Sequence, residues 1–182
     1  MTANLSARSY AGEIDLEAIA HLINTCESVD RLDEGTSISQ LQQEFNAPSF
    51  DKNRDIRLWE DANGKLIGFA QLWISEPAEV IDGWLSFWVH PDARGGDVEA
   101  ATITWGEVRM REVSVMRGSP VKLRASTRAD ECDRISLLTS CGFKADRYFF
   151  RMARSLSEPI PEPHFPEGFL LRQVSCEQDA EA

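Results

Sequence analysis

The chain has 182 residues, 42% apolar and 27% charged, a globular composition that excludes a fibrous or wholly disordered polymer. Nineteen basic against thirty acidic residues leave a net charge of −11, which repels nucleic acid and anionic lipid and suits cationic partners. No apolar run approaches the ~18 residues of a membrane span, and the N-terminal segment turns acidic before any signal-like stretch, so a cytoplasmic protein without membrane or nucleic-acid partners is expected.

In chain order, residues 4–10 read as a short strand. Residues 15–27 carry apolar positions at Leu16, Ile19, Ala20, Leu22 and Ile23, the stripe of an amphipathic helix behind an acidic start. Ser37-Ile38-Ser39-Gln40 has capping-box spacing and opens a second helix that runs to Phe45. Strands at 56–60 and 65–74 flank Asp61-Ala62-Asn63-Gly64, a hairpin turn, and 80–89 is a further strand rich in aromatic and β-branched residues. His90-Pro91 breaks it. Gly95-Gly96 then leads into a helix over 98–116, with Ile103, Trp105, Val108 and Val113 expected to face inward.

Residues 121–127 read as a strand, 133–140 as a helix with Gly142 as its C-cap, and 144–152 as a final strand. The order β-α-α-β-β-β-α-β-α-β predicts an α/β fold, more closely an α+β mixed sheet, around one core complete by residue 156. Residues 157–168 hold four of the eight prolines and read as an extended linker. Beyond it, residues 172–182 share Arg, Glu, Asp, Glu and Ala with residues 8–18 at five of eleven positions, so 169–182 reads either as the start of a second, truncated repeat or as a coincidence of two acidic segments.

Four cysteines (Cys26, Cys132, Cys141, Cys176) lie scattered without a Cys-x-x-Cys pair, and the three histidines lie far apart, so neither a zinc site nor a disulfide framework is expected. The segment 87–99, Phe87-Trp88-Val89-His90-Pro91-Asp92-Ala93-Arg94-Gly95-Gly96-Asp97-Val98-Glu99, carries the most chemistry. A strand enters a glycine-bearing turn that opens a helix. Unsatisfied amides and the helix dipole make such a turn an anion site, and an arginine on its lip strengthens it, although a plain strand–loop–helix joint has the same sequence form.

Val89-His90-Pro91-x-x-Arg94-Gly95 followed by a helix resembles motif A of the GCN5-related N-acetyltransferase (GNAT) superfamily. Leu137-Leu138-x-x-Cys141-Gly142-Phe143 and Tyr148-Phe149-Phe150-Arg151-Met152 are similar to that family's fourth helix and last strands. The likeness covers about residues 4–156, and the tail is similar to the start of a second domain, as in tandem GNAT proteins of the mycothiol synthase kind. The resemblance implies a mixed sheet with helices on both faces and an acyl-CoA-dependent N-acyltransferase moving an acetyl group from acetyl-CoA, without a metal, to a small-molecule or peptide amine. It implies pantetheine along Trp88, Val89 and His90, pyrophosphate on Arg94, Gly95, Gly96, Asp97, Val98 and Glu99, and the Val89 amide as an oxyanion donor. The negative charge suits a cationic amine.

The chain departs from the family pattern at Asp97 and Glu99, where small residues are usual. Both place carboxylates beside a pyrophosphate, and Asp97 is also suited to cap the helix itself. Where many members carry a tyrosine proton donor the chain has Leu138, which leaves Tyr148 as the candidate catalytic residue. Asp82, another candidate base, groups by alternation with Trp84, Ser86 and Trp88. The alternative is a noncatalytic, degenerate domain serving as scaffold, homodimer surface or binding module beside a catalytic second half.

Overall fold

The computed structural model describes residues 5–32, 35–169 and 171–172, and the chain falls into two compact units, 1–144 and 145–182. Among the described residues, the first unit holds every regular element. Strands β1 (Ser6–Ser9), β2 (Ile56–Glu60), β3 (Leu66–Ile74), β4 (Ile81–Val89) and β5 (Val121–Ala125) form one sheet in that spatial order. The first three junctions are antiparallel and β4–β5 is parallel. Helices are α1 (Leu16–Asp30), α2 (Ile38–Phe45), α3 (Asp97–Arg117) and α4 (Cys132–Ser140). This is the mixed sheet that the sequence predicts.

Local chemistry sets the elements. The Ser37 side chain accepts from the Gln40 amide while the Gln40 side chain accepts from the Ser37 amide, so the capping box that starts α2 is complete. In the β2–β3 turn, Asp61 Oδ1 accepts from the amides of Asn63 and Lys65 at 2.8 and 2.9 Å. β1 is tied down by Arg8, whose guanidinium donates to both oxygens of buried Asp15 at 2.8 and 2.9 Å.

Alternation along the strands feeds two apolar clusters, one on each face. Ala70, Leu72, Leu85, Phe87 and Val89 pack with Val98, Ile103, Met110 and Val113 of α3 and Leu138 of α4. Leu58 and Phe69 pack on the other face with Leu16, Ile19, Leu22 and Ile23 of α1 and Leu41 and Phe45 of α2. α3 comes close to the sheet because Gly106 has no side chain; a Cβ there would lie 3.2 Å from Leu85 Cδ2.

Three expectations change. Val108 is 46% exposed, because the buried stripe of α3 runs through Val98, Thr102, Gly106, Met110 and Val113 and leaves Val108 on the far side. α1 runs past residue 27, where the apolar stripe predicts its end, and so includes Asp30. Residues 144–152 form no strand. Among the described residues of 145–172 there is no strand to complete a ladder, and Phe149, Phe150 and Met152 are exposed. The segment 173–182, with Cys176 and most of the repeat, lies outside the described residues. Among the described residues no helix is long and apolar enough to cross a membrane, and no group of three His, Cys, Asp or Glu side chains could hold a metal ion.

Candidate functional site

β4 changes character along its length. Its pairing with β5 runs from Ile81–Val121 to Leu85–Ala125 and stops, while β4 continues to Val89. Over residues 86–89 no strand covers that edge among the described residues. Side chains cover it instead. Arg134 of α4 donates to the Phe87 carbonyl at 3.2 Å with its guanidinium 3.9 Å from the Phe87 ring centroid. The Val89 carbonyl accepts from Arg94 Nε and from the Cys26 thiol, both at 3.2 Å. Burial pushes the Cys26 thiol up, against the opposing pull of Arg94, and burial also pushes the Arg134 guanidinium down.

The turn beyond β4 is built around the predicted residues. The His90 amide donates to the Ile67 carbonyl at 2.8 Å, and its Nδ1 accepts from the Asp92 amide at 3.3 Å to cap a one-turn helix at Pro91–Ala93. Arg94 forks onto both oxygens of Asp30 at 2.6 and 2.8 Å, which raises its hold on its proton. Gly95 sits at φ +72°, where a Cβ is strained. Its amide donates to Glu99 Oε2 at 2.7 Å. Gly96 is the N-cap of α3, with no side-chain cap, and Val98 is buried in the core.

Asp97 therefore does not cap the helix. The carboxylate that turns inward is Glu99, two residues on, because a longer side chain at the third helical position reaches back to the turn. The first amides of α3 have no acceptor within their own helix.

The side chains of β4 residues 86 and 88 point to the opposite face. Trp88 stacks on Phe69, 5.4 Å between centroids, and both line a cavity of about 360 Å³ with Ser86, Gln71, Glu27 of α1 and Glu44 of α2. Asp82, on the same face, is engaged in a 2.9 Å ion pair with Arg124, whose guanidinium lies over the Trp84 ring. Tyr148 belongs to the second unit and is 79% exposed there. The structure thus brings Trp88 through Glu99 into one strand end and turn. Sequence reasoning missed Arg134, Asp30 and Cys26. Asp30 was signalled only by a helix end, and nothing in the sequence distinguished Arg134 from a surface arginine.

No family model matches the sequence. The chain is 28% identical over 176 residues to a mycothiol acetyltransferase from Salinispora tropica, covering 96% of this chain and 52% of that protein. It is 32% identical over 133 residues to a mycothiol acetyltransferase from Streptomyces bingchenggensis, covering 71% and 40%. The chain thus spans about half the length of the curated relatives it matches. Among solved structures, a GCN5-related N-acetyltransferase from Sphaerobacter thermophilus superposes with a TM-score of 0.69 at 22% identity, over 90% of this chain and 51% of that one.

Proposed function

The chain belongs to the GCN5-related N-acetyltransferase superfamily, and from that premise we propose that it is an acyl-CoA-dependent N-acetyltransferase domain. Acetyl-CoA is its co-substrate and a cationic small-molecule or peptide amine its acceptor, in the cytoplasm. The observation that carries this reading is the β4 edge over 86–89, left open by β5 and followed, through the turn of residues 90–96, by the amides at the start of α3.

The residues present fit the ligand. An extended amide-bearing arm pairs naturally with the peptide groups of Phe87 and Val89, the side chains at their carbonyls giving way to it. Gly95 leaves its side of the turn open, since a Cβ built there meets nothing within 4 Å, and Arg94 stands beside it. Glu99 holds the Gly95 amide in the meantime and yields it when a phosphate oxygen arrives. Bound acetyl-CoA supplies the electrophilic thioester. The chain's part is to orient the arm, to offer the Val89 amide to the thioester oxygen, and to hold the acceptor nitrogen in line while it loses its proton.

We read 1–156 as the acetyltransferase domain, 157–168 as a linker and 169–182 as the start of a second such domain. The greater length of the relatives supports that tandem reading. Their names favour catalysis over the scaffold alternative.

A thermal-shift titration with acetyl-CoA tests the function. Binding raises the melting temperature by mass action. Glu99→Gln, which keeps the chain length and removes the competing charge, tightens binding by about tenfold, one unit of ~1.4 kcal/mol. No shift at millimolar acetyl-CoA in either protein overturns the proposal.

A further inference from the structure

We propose that Arg134 of α4 stabilises the thiolate that leaves when the acetyl group is transferred, acting as a fixed cation in place of a proton donor; the inference rests on the acetyltransferase reading. Phe87 and Val89 turn their peptide groups to the same edge of β4, so the Phe87 carbonyl and the Val89 amide are successive groups along it. A thioester whose oxygen takes the Val89 amide lies one peptide group from the Phe87 carbonyl. Arg134 is already there. Its Nη2 donates to that carbonyl at 3.2 Å, and its guanidinium lies 3.9 Å from the Phe87 ring centroid.

Arg134 is also free to take an anion. Arg8, Arg94 and Arg109 each bond a carboxylate, Asp15, Asp30 and Asp55 respectively. Among the described residues Arg134 bonds none: its hydrogen bond is to the Phe87 carbonyl, and its Nε is buried without a partner. Glu131 of the α4 N-cap, Glu99 of α3 and Asp30 of α1 favour its charge from a distance, whereas burial and Arg94 oppose it. A cation half out of water with no paired carboxylate is costly in the resting protein, and the cost falls when an anion forms beside it. Arg94 is not equivalent, because Asp30 already balances it.

The chemistry balances around that cation. The neutral acceptor nitrogen forms its bond to the carbonyl carbon, the C–S bond breaks, and the electron pair stays on sulfur. The nitrogen's proton passes to water, and the thiolate takes one from water afterwards. Leu138, one turn beyond Arg134 on the same face of α4 and 5% exposed, has no proton to give. A guanidinium keeps its protons as well, so Arg134 meets the sulfur's charge by attraction and hydrogen bonding rather than by transfer. That charge exists only as the bond breaks. The gain therefore falls on kcat, while in the resting protein the same guanidinium covers the edge.

The experiment binds CoA, the free thiol, to the full chain and follows the ultraviolet absorbance of its thiolate against pH. The desulfo-CoA complex is the reference, so that Cys26 and the other protein thiols cancel. In the wild type the bound thiol ionises at least about one pH unit below free CoA, and CoA gains about tenfold in affinity over desulfo-CoA as pH rises through that interval. Arg134→Met returns the bound thiol to the behaviour of free CoA. Arg134→Lys, which keeps the charge, retains part of the shift, a rescue that packing alone does not give. Should Arg134→Met fail to fold, the Lys variant and the wild-type comparison of CoA with desulfo-CoA carry the test. An unshifted thiol in the wild type, or the same shift in Arg134→Met, overturns the inference and leaves the acetyltransferase reading standing, because CoA has bound. CoA that calorimetry finds unbound overturns that reading and this inference with it.

Discussion

The first five residues of β4 and its last four are one strand by geometry and two objects by chemistry. Residues 81–85 pair with β5 in parallel, 83–85 pair with β3 in the antiparallel sense as well, and their inward side chains are pressed against α3. At Gly83 a Cβ would sit 2.3 Å from Met110 Sδ, and Leu85 fits over Gly106. Residues 86–89 have one ladder, and the carbonyls on their other edge are held by Arg134, Arg94 and Cys26. Backbone partners in a sheet are fixed by the whole fold, whereas side-chain partners can be exchanged one at a time. A strand that trades the first kind for the second within a few residues has a rigid half and a half free to bind.

The largest effect separates these halves by stability. Leu85→Ala removes a side chain that is 2% exposed and leaves a hole under Gly106, for a loss of about 2–5 kcal/mol in denaturant unfolding. The acetyl-CoA dissociation constant of the protein that remains folded stays as it was. A loss confined to ligand affinity would erase the distinction. Arg134→Met gives a middling effect of mixed sign. The guanidinium bonds the Phe87 carbonyl but is held there against burial, so removing it changes stability by no more than about 1.5 kcal/mol. It also frees the edge, and acetyl-CoA affinity rises about threefold as the self-covered state is lost. Weaker binding in this variant would mean that Arg134 holds the ligand rather than the empty edge.

What was legible in the sequence follows from the range of the forces involved. The capping box at Ser37, the hairpin at Asp61 and the glycine turn at Gly95 depend on neighbours within four residues, and they appear where expected. Val108 was misassigned because a single apolar residue does not say which face of α3 meets the sheet; the absent side chain of Gly106 decides that. The alternation at 144–152 looks like a strand locally, but a strand exists only with a partner, and sequence pattern carries no partner. Glu99 rather than Asp97 engages the turn because reach, which depends on helix phase, outweighs proximity in sequence. The cavity was invisible for the same reason: Glu27, Glu44, Gln71 and Ser86 come from four elements and share no spacing.

The smallest effect is the sharpest test of the binding half. Ser86 lies opposite Gln71 in the β3–β4 register and is half-buried in the cavity wall. Ser86→Ala deletes one hydroxyl and no packing atom beyond it, so unfolding free energy moves by less than about 0.5 kcal/mol. The deletion still removes a polar group from the cavity wall, and one hydrogen bond contributes about 1 kcal/mol. The KM of the proposed acceptor amine therefore rises about fivefold, while that of acetyl-CoA, proposed to meet the peptide edge rather than the side chains, is unchanged. A stability loss as large as that of Leu85→Ala would place Ser86 with the rigid half, and a rise in both KM values would mean that the edge and the cavity are a single surface rather than two sides of one strand.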